Sequence, residues 1–399
     1  MIGPDEALAL VLREAHTLPV QYVPLAEACG LQLAATVVAD RDYPPFSRAM
    51  MDGYAVRVAD AGQTLKVVGE IAAGQMVTGP CPPRQCFEVM TGAPCPAGTE
   101  AVVPKEDVVR EGDSVTIPLT IRPGQHVAAK GSECQRGSVV LECGAAITPL
   151  AIAVMASFGR NTIGVTPRPS LGVITTGREL AAAGQDPSAA QIRDSNGPML
   201  SAMAVAIGLA APQTLHADDC PTAIRAALDS VADRNIVLLA GGVSVGTYDL
   251  VPEALRQYGA EMIFHKVAQK PGKPLLFARR GPQLFFGLPG NPLACHLCFH
   301  RYVAAAARQL AGKPAESHPL LGRLTAVVKG SRLRTFYAMA RAEPDRSTGN
   351  GWLVHPFPGV SSADIFSTCK ANCYIEVPVG NEEIPVGSPV RFTWVICPP

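Results

Sequence analysis

The sequence predicts a multidomain chain in which a mostly parallel α/β domain stands between β-rich parts. Three observations carry this. From about residue 169 apolar runs alternate with segments of helical periodicity, the mark of βαβ units with helices on both faces of a sheet. Residues 1 to about 165 carry dense turn signals between short apolar strands. The last stretch, 318–399, has strand signals spaced by Gly and Pro turns. A length of 399 residues also suits two to four domains at roughly 100–200 residues each.

The first element is an amphipathic helix in MIGPDEALALVLREAH, with Pro4 near its first turn and Asp5 and Glu6 favouring the dipole. Turns such as DYPPFSRAMMDGYAV and TGAPCPAGTE follow, with EAVVP and SVVLE as strands between them. ITPLAIAVMASFG reads as a helix that Gly159 can end. In the central region LGVITTG is a strand, NGPMLSAMAVAIG a helix, APQTLHA extended and PTAIRAALDSVAD a helix opened by Pro221. NIVLLAGG is a fully apolar strand, and a helix near VPEALRQYG follows. AEMIFHKV, KPLLFARR and QLFFGLPG supply further strands before a long helix, NPLACHLCFHRYVAAAARQLAG. After the linker GKPAESHP, the signals LTAVVKG, CYIEVP and PVRFTWV predict a small β-barrel or sandwich.

Composition narrows the partners. Thirty-four Lys and Arg balance 34 Asp and Glu, so no broad field attracts nucleic acid or an anionic membrane. The acidic start does not read as a signal peptide, and the longest apolar run is too short to span a bilayer. A cytoplasmic location is expected. Twelve cysteines in such a chain are expected to be reduced. Cys295 and Cys298 have metal-ligand spacing but no matching second pair, so helix packing is the expected role.

The chemistry is expected at the carboxyl ends of the parallel strands. In LLAGGVSVGTYD, Gly241 and Gly242 turn the chain tightly, and the stretch through Ser244 and Gly246 offers bare N–H groups that form an anion nest. Asp249 follows at its far end. A carboxylate beside a bound phosphate calls for a cation between them, and Mg²⁺ suits carboxylates, phosphate oxygens and water. TTGREL places Thr175, Thr176 and Glu179 after one strand, and HADD places Asp218 and Asp219 after another. The two aspartates also suit a plain role at the helix N-terminus opened by Pro221. Lys266, Lys270 and Lys273 in FHKVAQKPGKPLLF suit phosphate or oxyanion contact, or simply solvent. Pro289, Gly290, Asn291 and Pro292 in GLPGNP make a stiff wall where a strand becomes a helix. Asp52 and Thr91 lie in turns for which a structural role is the local expectation.

RAMMDGYAV, VMTGAP, AGGVSVGTYD, QKPGKP and GLPGNP occur in one order over nearly the whole chain. Together they resemble the molybdopterin molybdenumtransferase family, the MoeA type related to the C-terminal domain of gephyrin. The resemblance implies an elongated domain (1–50 and 135–168), an inserted β domain (51–134), a molybdopterin-binding α/β domain (169–312) and a C-terminal β-barrel (318–399). It implies a homodimer, and insertion of molybdate into adenylylated molybdopterin with Mg²⁺-dependent loss of AMP. By motif it assigns function to Asp52, Thr91, Glu179, Asp218, Asp249, Lys266, Lys270, Pro289 and Pro292. Asp249, Asp218 and Glu179 are the expected metal ligands. Thr176, Gly241, Gly242, Ser244, Gly246, Lys273, Gly290, Asn291 and Lys130 are the expected substrate contacts. Two departures stand out. AAKGSECQRG keeps only Lys130 of a basic run and has Ser132-Glu133 for an acidic pair, and Arg178 stands where an acid is common. Either bears on the choice of molybdate or tungstate. Two other readings remain at this point: molybdopterin adenylyltransferase, a family usually of one domain and also a candidate partner, and a non-catalytic molybdopterin-binding scaffold.

Overall fold

A computed structural model describes residues 1–76, 78–243, 250–315, 319–346, 351–358 and 361–395. The chain divides into two compact units, Tyr22–Gly164 and the remainder.

In the larger unit, helix α1 spans Pro4–Glu14, with Pro4 at its start and Asp5 and Glu6 in its first turn. The sheet strands are β1 (Leu171–Thr176), β2 (Gln213–Ala217), β3 (Ile236–Ala240), β4 (Glu261–His265), β5 (Leu276–Arg280) and β6 (Gln283–Leu288). Their order is β2-β1-β3-β6-β5-β4. Strands β2, β1, β3 and β6 run parallel, and β5 runs against its neighbours on both sides. Helices α2 (Asn196–Ala206), α3 (Pro221–Ser230), α4 (Val251–Gln257) and α5 (Pro292–Cys298) lie between or after them in the chain. Chain alternation then sorts the strand side chains. Val173, Leu238 and Phe286 face α1, α2 and α5, while Ile174, Leu239 and Phe285 face α3 and α4. Both faces are therefore buried, which is why these strands read as unbroken apolar runs.

The long C-terminal helix is not continuous. A π-helical turn, Phe299–Val303, separates α5 from α6 (Ala304–Leu310). Such a turn inserts one residue into the helical repeat and re-aims the side chains it carries. Cys295 and Cys298 are fully buried against the sheet, as packing predicts.

The C-terminal part is a barrel rather than a sandwich. Strands β7 (Leu320–Leu324), β8 (Thr335–Pro344), β9 (Trp352–Pro356), β10 (Cys373–Val377) and β11 (Pro389–Trp394) run in the order β8-β9-β7-β11-β10, and β10 closes back on β8. LTAVVKG is not one strand: Leu324 ends β7, and Val328–Lys329 pairs elsewhere with Glu383–Ile384. A short segment, Gln269–Lys270, adds to the barrel in parallel with Thr335–Phe336 of β8.

The smaller unit holds a six-stranded sheet in the order Ala101–Pro104, Gly53–Val56, Gln85–Val89, Thr64–Ile71, Ser114–Thr116 and Val109–Glu111. Tyr54, Val56, Leu65, Val103 and Ile117 fill its core. A helix, Pro149–Ser157, is capped by the Thr148 hydroxyl and followed by Gly159 at φ +69°. Among the described residues no helix is long and apolar enough to cross a membrane.

Candidate functional site

The strand register puts four chain ends in one row. Thr176 lies beside Ala217, Thr175 beside Ala240, and Ala240 beside Leu288. The residues that follow, Gly177, Asp218, Gly241 and Pro289, thus share the carboxyl edge of the sheet. Thr175 and Thr176 are the last residues of β1 rather than residues beyond it. Glu179 folds back over Gly177, whose missing Cβ would sit 2.6 Å from both carboxylate oxygens. Asp219 accepts a hydrogen bond from the Arg178 amide at 3.4 Å, joining the turns after β1 and β2. Asp218 is 71% exposed, with His216 Nε2 3.7 Å from its carboxylate. Ser244, Gly246 and Asp249 lie outside the described residues.

Close packing defines this edge. Gly241 has φ +106° and donates its amide to Leu288 O at 3.1 Å. A Cβ on it would stand 2.5 Å from Thr176 O. Gly242, at φ +61°, accepts from the Val251 amide at 3.3 Å, which holds it against the first residue of α4. Asn196 at the start of α2 donates through Nδ2 to Gly290 O at 2.7 Å and fixes the turn after β6. Asn196 Oδ1, Thr175 Oγ1 and Thr176 Oγ1 are buried and have no hydrogen-bond partner among the described residues. Buried polar atoms are nearly always paired, so three unpaired ones near a strand edge mark a place for a polar ligand or water. Sequence reading missed Asn196. Its signal was Asp-Ser-Asn-Gly at a helix start, where Asp194 accepts from the Gly197 amide at 3.0 Å.

Lys270 and Lys273 flank a cavity of about 810 Å³ between the PGKP loop, the GNP turn and the barrel. Lys270, Lys273, Lys329 and Arg334 line it, and among the described residues no carboxylate does. Four cations with no anion among them favour a negatively charged occupant. Phe336 lies 5.6 Å from Lys270 Nζ, and Pro289 and Asn291 carry the lining to the sheet edge. Asn291 Nδ2 donates to Ser362 Oγ at 2.7 Å, holding the turn against the barrel region. Lys266 is half-buried and does not line this cavity; it sits just past β4 at φ +79°, a strained conformation for a side-chain-bearing residue. Lys329 and Arg334 were not legible as site residues, since only the barrel brings them to the PGKP loop.

In the smaller unit Asp52 and Thr91 meet directly. Asp52 Oδ1 accepts from the Thr91 hydroxyl at 2.6 Å and from its amide at 2.7 Å. These bonds, the hydroxyl first, hold the Asp52 carboxyl below its usual range. The AAKGSECQRG loop is tied down by charge: Glu133 pairs with Arg48 at 2.6 Å, and Lys130 lies 3.7 Å from Asp42.

Known proteins match this arrangement. Family descriptions fit in chain order: "MoeA N-terminal region (domain I and II)" over residues 2–159, "Probable molybdopterin binding domain" over 172–309 and "MoeA C-terminal region (domain IV)" over 322–394. A molybdopterin molybdenumtransferase of Staphylococcus aureus (strain MRSA252) is 32% identical over 397 residues, covering 98% of this chain and 94% of its own length. The chain belongs to the MoeA family of molybdopterin molybdenumtransferases. A relative of the same name from Staphylococcus epidermidis is 30% identical over 97% of this chain and 94% of its own length. Two crystal structures of the molybdopterin biosynthesis MoeA protein of Pyrococcus horikoshii superpose with TM-scores of 0.83 and 0.78, at 26% identity and over 99% of this chain.

MoeA membership covers all three parts of the chain, so the residues of the smaller unit belong to the same protein design as the sheet edge. The Asp52–Thr91 contact gives a direct check on its electrostatics. Thr91→Val keeps the amide bond and removes the hydroxyl. The Asp52 carboxyl is expected to titrate at higher pH in that variant, read from its carboxyl carbon by NMR. An unmoved midpoint excludes the hydroxyl as the main cause.

Proposed function

We propose that this MoeA-family chain inserts molybdate into adenylylated molybdopterin and releases AMP. One observation supports this most: the unpartnered polar edge adjoins a cavity lined, among the described residues, by four cations and no carboxylate. Such a site accepts a substrate that carries both polar heterocycles and phosphates, together with an oxyanion. Nothing in the reaction calls for a protein nucleophile, because the dithiolene sulfurs of the substrate capture the metal. The protein's task is to hold anions together against their repulsion, and fixed donors with cations do that. The Gly241 amide is already taken by Leu288 O, so the turn after β3 would offer the amides beyond Gly241 to one anion. Lys270, Lys273, Lys329 and Arg334 would bind the other and stabilise negative charge as the anhydride breaks.

Mg²⁺ is part of this proposal. Among the described residues no three metal-ligating side chains cluster. Mg²⁺ needs no such cage, since it commonly takes one or two carboxylates and completes its shell with substrate phosphate and water. Asp218, exposed at the sheet edge, fits that need. Asp249 and Glu179 are the further carboxylates proposed to hold the ion, and bound there it would neutralise charge on the leaving phosphate. We further place the chain in the cytoplasm as a homodimer, able to receive its substrate from an adenylyltransferase.

The test is incubation with adenylylated molybdopterin, Mg²⁺ and molybdate, following AMP and metal incorporation. Chelation is expected to lower AMP release by at least about a hundredfold, and added Mg²⁺ to restore it. Full turnover in chelator would remove the ion from the proposal. Transfer of AMP onto molybdopterin, instead of its release, would replace the whole reading by the adenylyltransferase one. Tungstate in place of molybdate measures what the AAKGSECQRG loop does to oxyanion choice.

A further inference from the structure

The lysine loop is built around one buried amide. Gln269 precedes Lys270 and is fully buried, as are Tyr302 and Cys298. Gln269 Oε1 accepts from the Tyr302 hydroxyl at 2.5 Å. Gln269 Nε2 donates to Gly272 O at 3.4 Å and to Cys298 Sγ at 3.5 Å. The loop Lys270–Lys273 therefore wraps the side chain that begins it. The wrap is tight: a Cβ on Gly272, at φ +94°, would sit 2.5 Å from Gln269 Nε2 and 2.8 Å from Cys298 Sγ. Tyr302 reaches the amide from the π-helical turn. Burial pushes the Tyr302 hydroxyl far up, so it stays protonated and can act as the donor.

We propose that Gln269, oriented by Tyr302, is a positioning residue that sets Lys270 and Lys273 at the mouth of the cationic cavity. Gln269 borders the cavity, but both residues are fully buried and their polar atoms are spent on each other and on the loop, so neither acts as a catalytic group. Tyr302 fixes which way the Gln269 amide points, and the amide then fixes the Gly272 carbonyl between the two lysines. The claim rests on the molybdate-insertion reading for its kinetic consequence, though not for its structural one.

The test uses the full chain and three variants, Tyr302→Phe, Gln269→Met and the two combined. Each single variant leaves a buried polar group unpaired, so each is expected to melt at lower temperature; the double variant removes both groups and regains much of the loss. Well below melting, all three are expected to show a KM for adenylylated molybdopterin raised about tenfold, with kcat changed less than about twofold. A purely structural role predicts another pattern: kcat falls with the folded fraction at unchanged KM, and the double variant recovers fully. That pattern overturns the proposal. Amide exchange at Lys270, Gly272 and Lys273 needs no substrate. It is expected to quicken in every variant while the β3 amides hold. Unchanged exchange there overturns the proposal even where the wild-type chain releases no AMP, a result that would sink only the catalytic reading.

Discussion

Gly241→Ala is expected to lower turnover about a hundredfold and to destabilise the α/β domain by about 2–5 kcal/mol. Two independent penalties meet at this residue. Its φ of +106° is one that side chains resist, and its Cβ would fall 2.5 Å from the Thr176 carbonyl, a backbone atom that cannot swing aside. The collision can be relieved only if the ends of β1 and β3 part. That motion carries Thr176, the hydrogen bond to Leu288 and the Gly242 contact with α4 along. A displacement of about 1 Å at a positioning site can lower rate about a hundredfold. Gly281→Ala is the control. Gly281 also has positive φ, at +57°, but no described atom lies within 4 Å of the place its methyl group would take. It is expected to lower stability by about 1 kcal/mol and to leave AMP release intact. Thermal melts and AMP release on both variants decide the matter, and equal behaviour of the two would refute the close-approach argument.

The second large effect is on acid stability. His296 and His300 stand one turn apart near the junction of α5 and the π-helical turn, with ring centroids 4.7 Å apart. His296 Nδ1 and His300 Nε2 are buried without a hydrogen-bond partner among the described residues. Burial lowers His296 to about 4 and His300 to about 3. For His300, neighbouring His296 and then Arg308 add to the same direction. The unfolded chain titrates these histidines near pH 6.5. Between that pH and about 4 the unfolded state binds protons that the folded state refuses. Stability is therefore full above the unfolded value and falls as pH drops below it. At pH 5 each histidine is expected to withdraw about 2 kcal/mol. Replacing both with Phe is expected to flatten the fall in melting temperature between about pH 7.5 and 5. If wild type and double variant show the same slope, the acid sensitivity resides elsewhere.

Much of the architecture was legible because its causes are local. Leu171–Thr176 and Ile236–Ala240 are buried on both faces, and an unbroken apolar run is the sequence consequence. Helix starts at Pro4 and Pro221 were readable from fixed proline φ. The long barrel strand Thr335–Pro344 escaped notice. Its inward residues include Ala338, Ala340 and Ala342, which are weak strand formers chosen by the narrow interior of a closed barrel. The π-helical turn was not read from the sequence either; Arg301 and Tyr302 within it contact residues that only folding brings near. The same division holds for the site. Glycine and proline motifs at strand ends announced the edge, since backbone geometry demands those residues. Asn196, Lys329 and Arg334 did not, since only folding brings them to where they matter.

The pairing of Gln269–Lys270 with Thr335–Phe336 makes the barrel and the α/β domain share a seam. Arg301 adds a stitch, reaching Asp5 of α1 and Glu376 of β10 from the same helix turn. The barrel is consequently not a cassette. A chimera that grafts a relative's C-terminal domain after residue 312 is expected to carry a mismatched edge against the loop bearing Lys270.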